Sequence, residues 1–156
     1  MSNKKRIGKL FFLIVLLITL VIGFSYAFSN WNYIGSTFNK STIWNIGSLS
    51  KWNTSKVTNM SYIFSNAGYN SSSIIDFGTL KVYASDITHG FTSCVSCKIT
   101  LNIYSNPTAY TDALKFAAYK SGSKVTVNYS SATTNIDNIM ATMTTGNNVV
   151  KGSLIS

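Results

Sequence analysis

His89 is the single histidine of this 156-residue chain, and Asp76, Asp86, Asp112 and Asp137 are its four carboxylates, since there is no glutamate. General acid–base catalysis would need two such groups within hydrogen-bond reach of one substrate, and a Ser-His-Asp relay would need His89 between a serine and an aspartate. No Gly-x-Ser-x-Gly elbow or other local context signals either arrangement. Asp86 and Asp112 read as counterparts of Asn59 and Asn135 in the first turns of short helices, where negative charge is favourable, and not as an acid/base pair. His89, two after Ile87, falls off the buried face and reads as a surface residue. Cys94 and Cys97 form a Cys-x-x-Cys pair, whose redox chemistry requires a helix N-terminus to lower a thiol pKa. Here Cys94 closes an apolar ladder, so the pair is expected at a helix C-terminus, where the dipole works against a thiolate. Cys94 is then a small buried residue; a disulfide between the two is open in an exported protein, though so short a loop would stabilise little. One histidine and two cysteines fall short of a four-ligand zinc site unless a carboxylate joins them. The expectation is no catalytic residue, no metal and no cofactor.

The ladder that ends at Cys94 is one of four. Val57, Met60, Phe64 and Ala67 stand at i, i+3, i+7 and i+10, the spacing of one helix face. Ala84, Ile87, Phe91 and Cys94 repeat it 27 residues on; Pro107, Tyr110, Leu114 and Ala117 follow after 23, and Thr133, Ile136, Met140 and Met143 after 26. A recurrence at this period marks a solenoid, whose units bury their apolar faces only against neighbours. Between the ladders, Leu80–Val82, Ile99–Ile103 and Val125–Tyr129 alternate apolar with polar residues, the period of a half-buried strand. Val149-Val150 and Leu154-Ile155 supply a weaker fourth. Strand, short helix, strand implies parallel strands with helical crossovers. Pro107 suits a first helical turn capped by Ser105 or Asn106, and Gly122 and Gly146 suit helix stops.

The block Trp52-Asn-Thr-Ser-Lys-Val-Thr-Asn-Met-Ser-Tyr-Ile-Phe64 closely resembles the repeat of BspA-type leucine-rich repeat bacterial surface proteins, a family whose unit is about 26 residues long. Ile63 stands where that repeat usually has Met. The later ladders share only the spacing, and the third lacks both the Met and the Phe, with Ala113 and Leu114 near those places. The resemblance implies a leucine-rich-repeat-like solenoid of parallel strands and short helices, displayed outside a bacterial cell. It also implies adhesion or ligand binding for some members, and the motif itself carries no chemistry.

Lys4, Lys5, Arg6 and Lys9 precede an apolar run from Leu10 to Phe28. In a helix it would reach roughly 28 Å, nearly the hydrocarbon thickness of a bilayer. The basic flank keeps the N-terminus inside and sends the remainder out. Ser25-Tyr26-Ala27 is also an acceptable cleavage site, so residues 1–28 are a signal peptide or a membrane anchor, and both remain open. Residues 29–156 suffice for one domain with a modest core. They carry nine lysines and four aspartates, net +5. The lysines are scattered, which argues against nucleic-acid binding and suits weak attraction to acidic polymers outside the cell. Trp31, Tyr33, Phe38, Trp44 and Trp52 crowd the stretch before the repeats. An aromatic cap over residues 29–51 is the simpler account, because a first coil has no preceding neighbour; a sugar-stacking site is the alternative.

These readings combine into an α/β solenoid of about four repeats over 52–156, preceded by one N-terminal transmembrane or signal helix. Its expected role is binding an extracellular protein or glycan, with a structural envelope component as the alternative and a wall-associated hydrolase as a weaker one. Strand alternation aims Lys81, Tyr83, Thr100, Asn102, Tyr104, Thr126 and Asn128 outward, and Lys81, Tyr83, Asn102, Tyr104 and Asn128 are the candidate ligand-binding residues. Export is directly testable: protease added to intact cells should digest the domain, or the domain should appear in the medium. Recovery with the cytosol, protected from protease, would refute it. The mass of the mature N-terminus separates cleavage after Ala27 from anchoring.

Overall fold

The computed structural model describes residues 49–156. The apolar run Leu10–Phe28 and the aromatics Trp31, Tyr33, Phe38 and Trp44 lie outside the described residues, among which no helix is long and apolar enough to cross a membrane. A 3-10 turn, Leu49–Lys51, leads into a parallel-strand solenoid of about three full turns. Its strands are β1 (Ile75–Val82), β2 (Cys97–Ile103), β3 (Lys124–Ser130) and β4 (Val149–Ile155). They form one four-stranded parallel sheet in sequence order. Each strand is preceded by the ladder segment of its own coil, beginning at Val57, Ala84, Pro107 and Thr133.

The core is where the ladders and the alternation put it. Val57, Met60, Phe64 and Ala67 are buried, as are Ala84, Ile87, Phe91 and Cys94, Leu114 and Ala117, and Thr133, Ile136 and Met140. They face Leu80, Val82, Ile99, Leu101, Ile103, Val125 and Val127 from the sheet. Phe64 stacks on Phe91 with ring centroids 5.7 Å apart and leans on Phe77 at 4.7 Å. Tyr110 is half-buried against this core, and Met143, the last ladder position, is exposed at 44%.

The expected helices are mostly absent. The first three ladder segments are chains of tight turns in which amides alternate between two kinds of partner. One set bonds three residues back within the coil: Ile63 N–H to Met60 O, Ser65 to Tyr62, Ala67 to Phe64. The intervening set crosses to the next coil: Met60 N–H to Asp86 O, Tyr62 to Thr88, Phe64 to Gly90 and Asn66 to Thr92, at 2.8–2.9 Å. Coil two repeats this toward coil three, from Ile87, His89, Phe91 and Ser93. Left-handed φ recurs four residues apart at Tyr62 and Asn66, His89 and Ser93, Asp112 and Phe116, and each occurrence stops a right-handed helix. Inward spacings of three, four and three therefore arise from turns as readily as from a 3.6-residue period. The fourth coil does contain a helix, α1 (Ile136–Met140), with Ile139 N–H to Asn135 O and Ala141 to Asp137. Among the described residues no further coil offers it carbonyls, so its amides close on their own chain. Coil three, left without those partners, turns to hydroxyls: Leu114 N–H donates to Thr142 Oγ1 and Phe116 N–H to Thr144 Oγ1.

The cap assignments change accordingly. Asn106 accepts from Asn135 N–H and donates to Thr134 Oγ1, and Ser105 donates to Ala84 O, so these side chains join coils. Gly122 and Gly146 adopt left-handed φ at the corners before β3 and β4, ending turns and not helices. In β1 a bulge at Phe77-Gly78, held by Gly78 N–H on Asp76 Oδ1 at 2.9 Å, resets the alternation so that Ile75, Phe77, Leu80 and Val82 all point inward. This hides the first half of β1 from a period-two reading.

Replacing Phe64 or Phe91 with Ala should cost roughly 3–5 kcal/mol by denaturant titration. Losses below about 0.5 kcal/mol at both, the range of surface substitutions, would contradict their placement at the centre of the stack.

Candidate functional site

Parallel pairing in register sets like positions side by side about 4.8 Å apart, and on the outer face of the sheet this produces three rows. Asp76, Lys98 and Lys124 form one, Thr79, Thr100 and Thr126 a second, and Lys81, Asn102 and Asn128 a third. Just past β1 and β2, Tyr83 stacks on Tyr104 with centroids 5.0 Å apart and planes 13° from parallel. All seven residues expected to point outward lie on this face, off the core. The tyrosine pair meets because Tyr104 N–H bonds Val82 O, extending the ladder by one step at 2.8 Å.

The five candidate ligand contacts are not equivalent. Asn128 is committed to the fold: its Nδ2 donates to Asn102 Oδ1 at 2.9 Å and its Oδ1 accepts Ser153 N–H at 3.0 Å across a bulge in β4. A Cβ at position 152 would stand 2.1 Å from that Oδ1, so Gly152 is required for the contact. Lys81 and Tyr83 remain exposed, and Asn102 and Tyr104 are half-buried.

Two shallow depressions flank these rows. One is lined by Trp52, Lys51, Asn53 and Ser55 together with Lys81 and Tyr83. The other is lined by Asp76, Lys98 and Lys124 with the threonine row. Lys98 Nζ lies 2.8 Å from Asp76 Oδ2. That bond, helped by Gly78 N–H, holds the Asp76 carboxyl below its ordinary range and raises the Lys98 ammonium. The sequence pattern does not show Asp76, because the bulge hides the parity of β1, and Lys98 and Lys124 stand one residue before the alternating runs that begin at Ile99 and Val125. Trp52, expected as part of the cap, packs partly against the core and also lines the first depression.

The titratable residues on the turn side are arranged by the same coil stacking. Asp86 lies across from Asn59, whose Nδ2 donates to Asp86 Oδ2 at 2.8 Å, and Asp86 Oδ1 accepts Thr88 N–H. These are repeat equivalents, as expected. Asp112 is not: Asp86 bridges Ala109, and Asp112 shares its left-handed φ with Tyr62 and His89. His89 is accordingly only half-exposed, stacked on Tyr62 at 4.8 Å and 4.0 Å from Asp112, which Lys115 pairs at 2.9 Å. At 4.0 Å His89 and Asp112 are beyond the reach of a proton relay in this arrangement. Among the described residues no group of three or more His, Cys, Asp or Glu could hold a metal ion.

Cys94 and Cys97 are free thiols, and both are fully buried. Cys94 matches Ala67 and Ala117, as expected, but it ends a turn and not a helix. β2 starts three residues after Cys94, whereas β1 starts eight after Ala67 and β3 seven after Ala117. The pair therefore occupies the tightest corner of the solenoid, with Cys97 Sγ donating to Cys94 O at 2.7 Å. Burial, reinforced by Cys97, pushes the Cys94 thiol well above its ordinary pKa, the reverse of what a redox nucleophile needs.

A repeat scaffold stacked coil on coil, with an open polar sheet face, is the class of protein that this fold and surface define. The family model described as "Mycoplasma protein of unknown function, DUF285" matches residues 24–124, and the chain belongs to that family. No curated protein and no solved structure matches it.

A thiol reagent should leave Cys94 and Cys97 unmodified until the protein is unfolded. Cys94→Ser should cost about 1–3 kcal/mol, the price of an imperfectly bonded hydroxyl in an apolar corner. Cys97→Ser should cost less, because its hydroxyl can take over the bond to Cys94 O. Rapid labelling of the native protein would contradict the buried corner.

Proposed function

We propose that the protein is an exported, non-catalytic binding protein of the bacterial cell surface that captures an extracellular protein or glycan on the outer face of its sheet. The observation that carries this reading is the stacked Tyr83–Tyr104 pair beside Lys81 and Asn102, next to a depression lined by Trp52. Aromatic rings offer large contact area at low ordering cost, and their mutual stacking holds them in place before a ligand arrives. Lysine and asparagine beside them supply donors for a polar partner. The resemblance of Trp52–Phe64 to the BspA-type repeat supports surface display, as does the basic flank before Leu10–Phe28, the segment that would hold the protein in the membrane or be removed after Ala27. A rigid solenoid is suited to this role, because ligand contacts are carried on strands and not on long loops.

The test is full-length protein screened against a glycan and extracellular-matrix array, wild type beside Tyr83→Ala/Tyr104→Ala. Capture by the double variant should fall about tenfold or more with little change in melting temperature. Capture undiminished in a stably folded variant would move the site elsewhere. Silence across the array, with an envelope protein co-purifying, would favour an accessory structural component instead.

A further inference from the structure

We infer that the ligand is a linear acidic glycan lying along the strand direction, its anionic groups on Lys98 and Lys124 at one end of the face and its sugar rings against Tyr83, Tyr104 and Trp52 at the other. The inference rests on the binding role proposed for this face and adds a second contact region and a ligand class.

Charge is the first argument. Of the ionisable side chains lining the two depressions, Lys51, Lys81, Lys98 and Lys124 are positive and Asp76 alone is negative, a net of +3. Among the described residues Lys51, Lys81 and Lys124 make no ion pair, whereas Lys98, Lys115 and Lys151 pair with Asp76, Asp112 and Asp137; Lys56 and Lys120, also without an ion pair, lie outside both depressions. Three of the five described lysines without an ion pair therefore line the two depressions, where only one carboxylate stands against them, and a polyanion is the complementary partner.

Shape is the second. Lys98 and Tyr104 are six residues apart along one extended strand, about 20 Å at 3.3 Å per residue. No small anion spans that distance, whereas a polymer of several sugars does. Between the two regions lie the uncharged threonine row and then Lys81, Asn102 and Asn128, which offer hydroxyls, amides and one further cation to a hydrated chain. Both depressions are shallow, as a surface for a polymer passing across must be.

The orientation of the tyrosines favours sugar over nucleobase. The two rings are stacked on each other, with centroids 5.0 Å apart and planes 13° from parallel. Each ring gives one face to the other, so the pair offers an oxygen-rich ligand its hydroxyls and one remaining face per ring. Single-stranded nucleic acid stacks successive bases on separate aromatic platforms, which a pair closed on itself does not supply.

Asp76 supplies a test with a sign. It holds Lys98 in place but opposes an anion. Asp76→Asn keeps the Oδ1 that accepts Gly78 N–H, so the bulge should persist while the opposing charge is lost.

The measurement is titration of full-length protein in detergent with sulfated and with carboxylated oligosaccharides of increasing length, against a neutral oligosaccharide and single-stranded DNA of equal charge. Affinity should rise with chain length up to about 20 Å, exceed that for the neutral sugar and for DNA, and weaken with salt. Lys98→Gln/Lys124→Gln should bind about fivefold more weakly and Asp76→Asn roughly twofold more tightly, both with unchanged melting temperature. The relative strength of the sulfated and carboxylated series identifies the acidic group. If the lysine pair and Asp76→Asn leave affinity unchanged while Tyr83→Ala/Tyr104→Ala abolishes it, the acidic-glycan inference fails and the binding role stands. Preference for neutral sugar or DNA overturns the inference alone. Loss of effect in all three variants removes this face as a binding site.

Discussion

Everything in this solenoid depends on one constraint: a coil cannot satisfy its own backbone. Alternate amides of the first two turn segments have carbonyl partners only in the following coil, as with Met60 N–H on Asp86 O and Phe64 N–H on Gly90 O. A buried amide without a partner costs a large part of a folded protein's margin, so a coil built of tight turns is stable only where its neighbour presents acceptors at the same pitch, and a coil without such a neighbour turns helical. The sheet side imposes the same pitch through its parallel ladder. Both sides must agree, which is why the inward residues keep their spacing while the coil lengths vary.

The constraint shows most clearly where the repeat is imperfect. Coil two is short because its return after Cys94 is tight, and the returns of coils one and three then meet across it. Lys120 Nζ reaches Ser71 O and Ser72 O, two coils away in sequence, and the thiols of Cys94 and Cys97 fill the corner beneath. The Cys-x-x-Cys spacing is thus a consequence of corner geometry. At the other end, coil four turns helical and coil three borrows the hydroxyls of Thr142 and Thr144. The position on β4 that matches buried Val127 is Lys151, paired with Asp137 and set over the Tyr129 ring. A charge at an inward position of an outermost strand discourages further strands from adding.

Coil stacking also determines what the surface can offer. Any side chain on the outer sheet face has a counterpart one strand away, so single residues become rows: paired tyrosines, three threonines, two lysines beside an aspartate. A ligand that meets such a face meets a periodic array over many ångströms, better matched to an extended partner than to a compact one. The turn side offers the opposite. Its polar groups, such as Asn59 with Asp86 and Asn135 with Pro107 O, are consumed in joining coils.

By itself the sequence determined which residues face inward. The ladder spacing and strand alternation are statements about burial, and burial of Phe64, Phe91, Leu101 and Val127 is enforced by the hydrophobic effect whatever local conformation delivers it. The outward set from Lys81 to Asn128 follows from the same alternation, which extends by one step to Lys98 and Lys124; only Asp76, beside the β1 bulge, is hidden from it. The tertiary structure decided the conformation of the ladder segments, since a helix and a chain of tight turns share the three-four-three spacing and differ in where their amides find partners. The match of Asp112 to His89, each two after its second ladder residue, was already in the spacing, whereas the tertiary structure also decided that Cys97 is buried and that Asn128 is occupied by Asn102 and Ser153. Each depends on the length of a neighbouring coil or the position of a bulge. Those are relations between segments twenty or more residues apart, which no local pattern encodes.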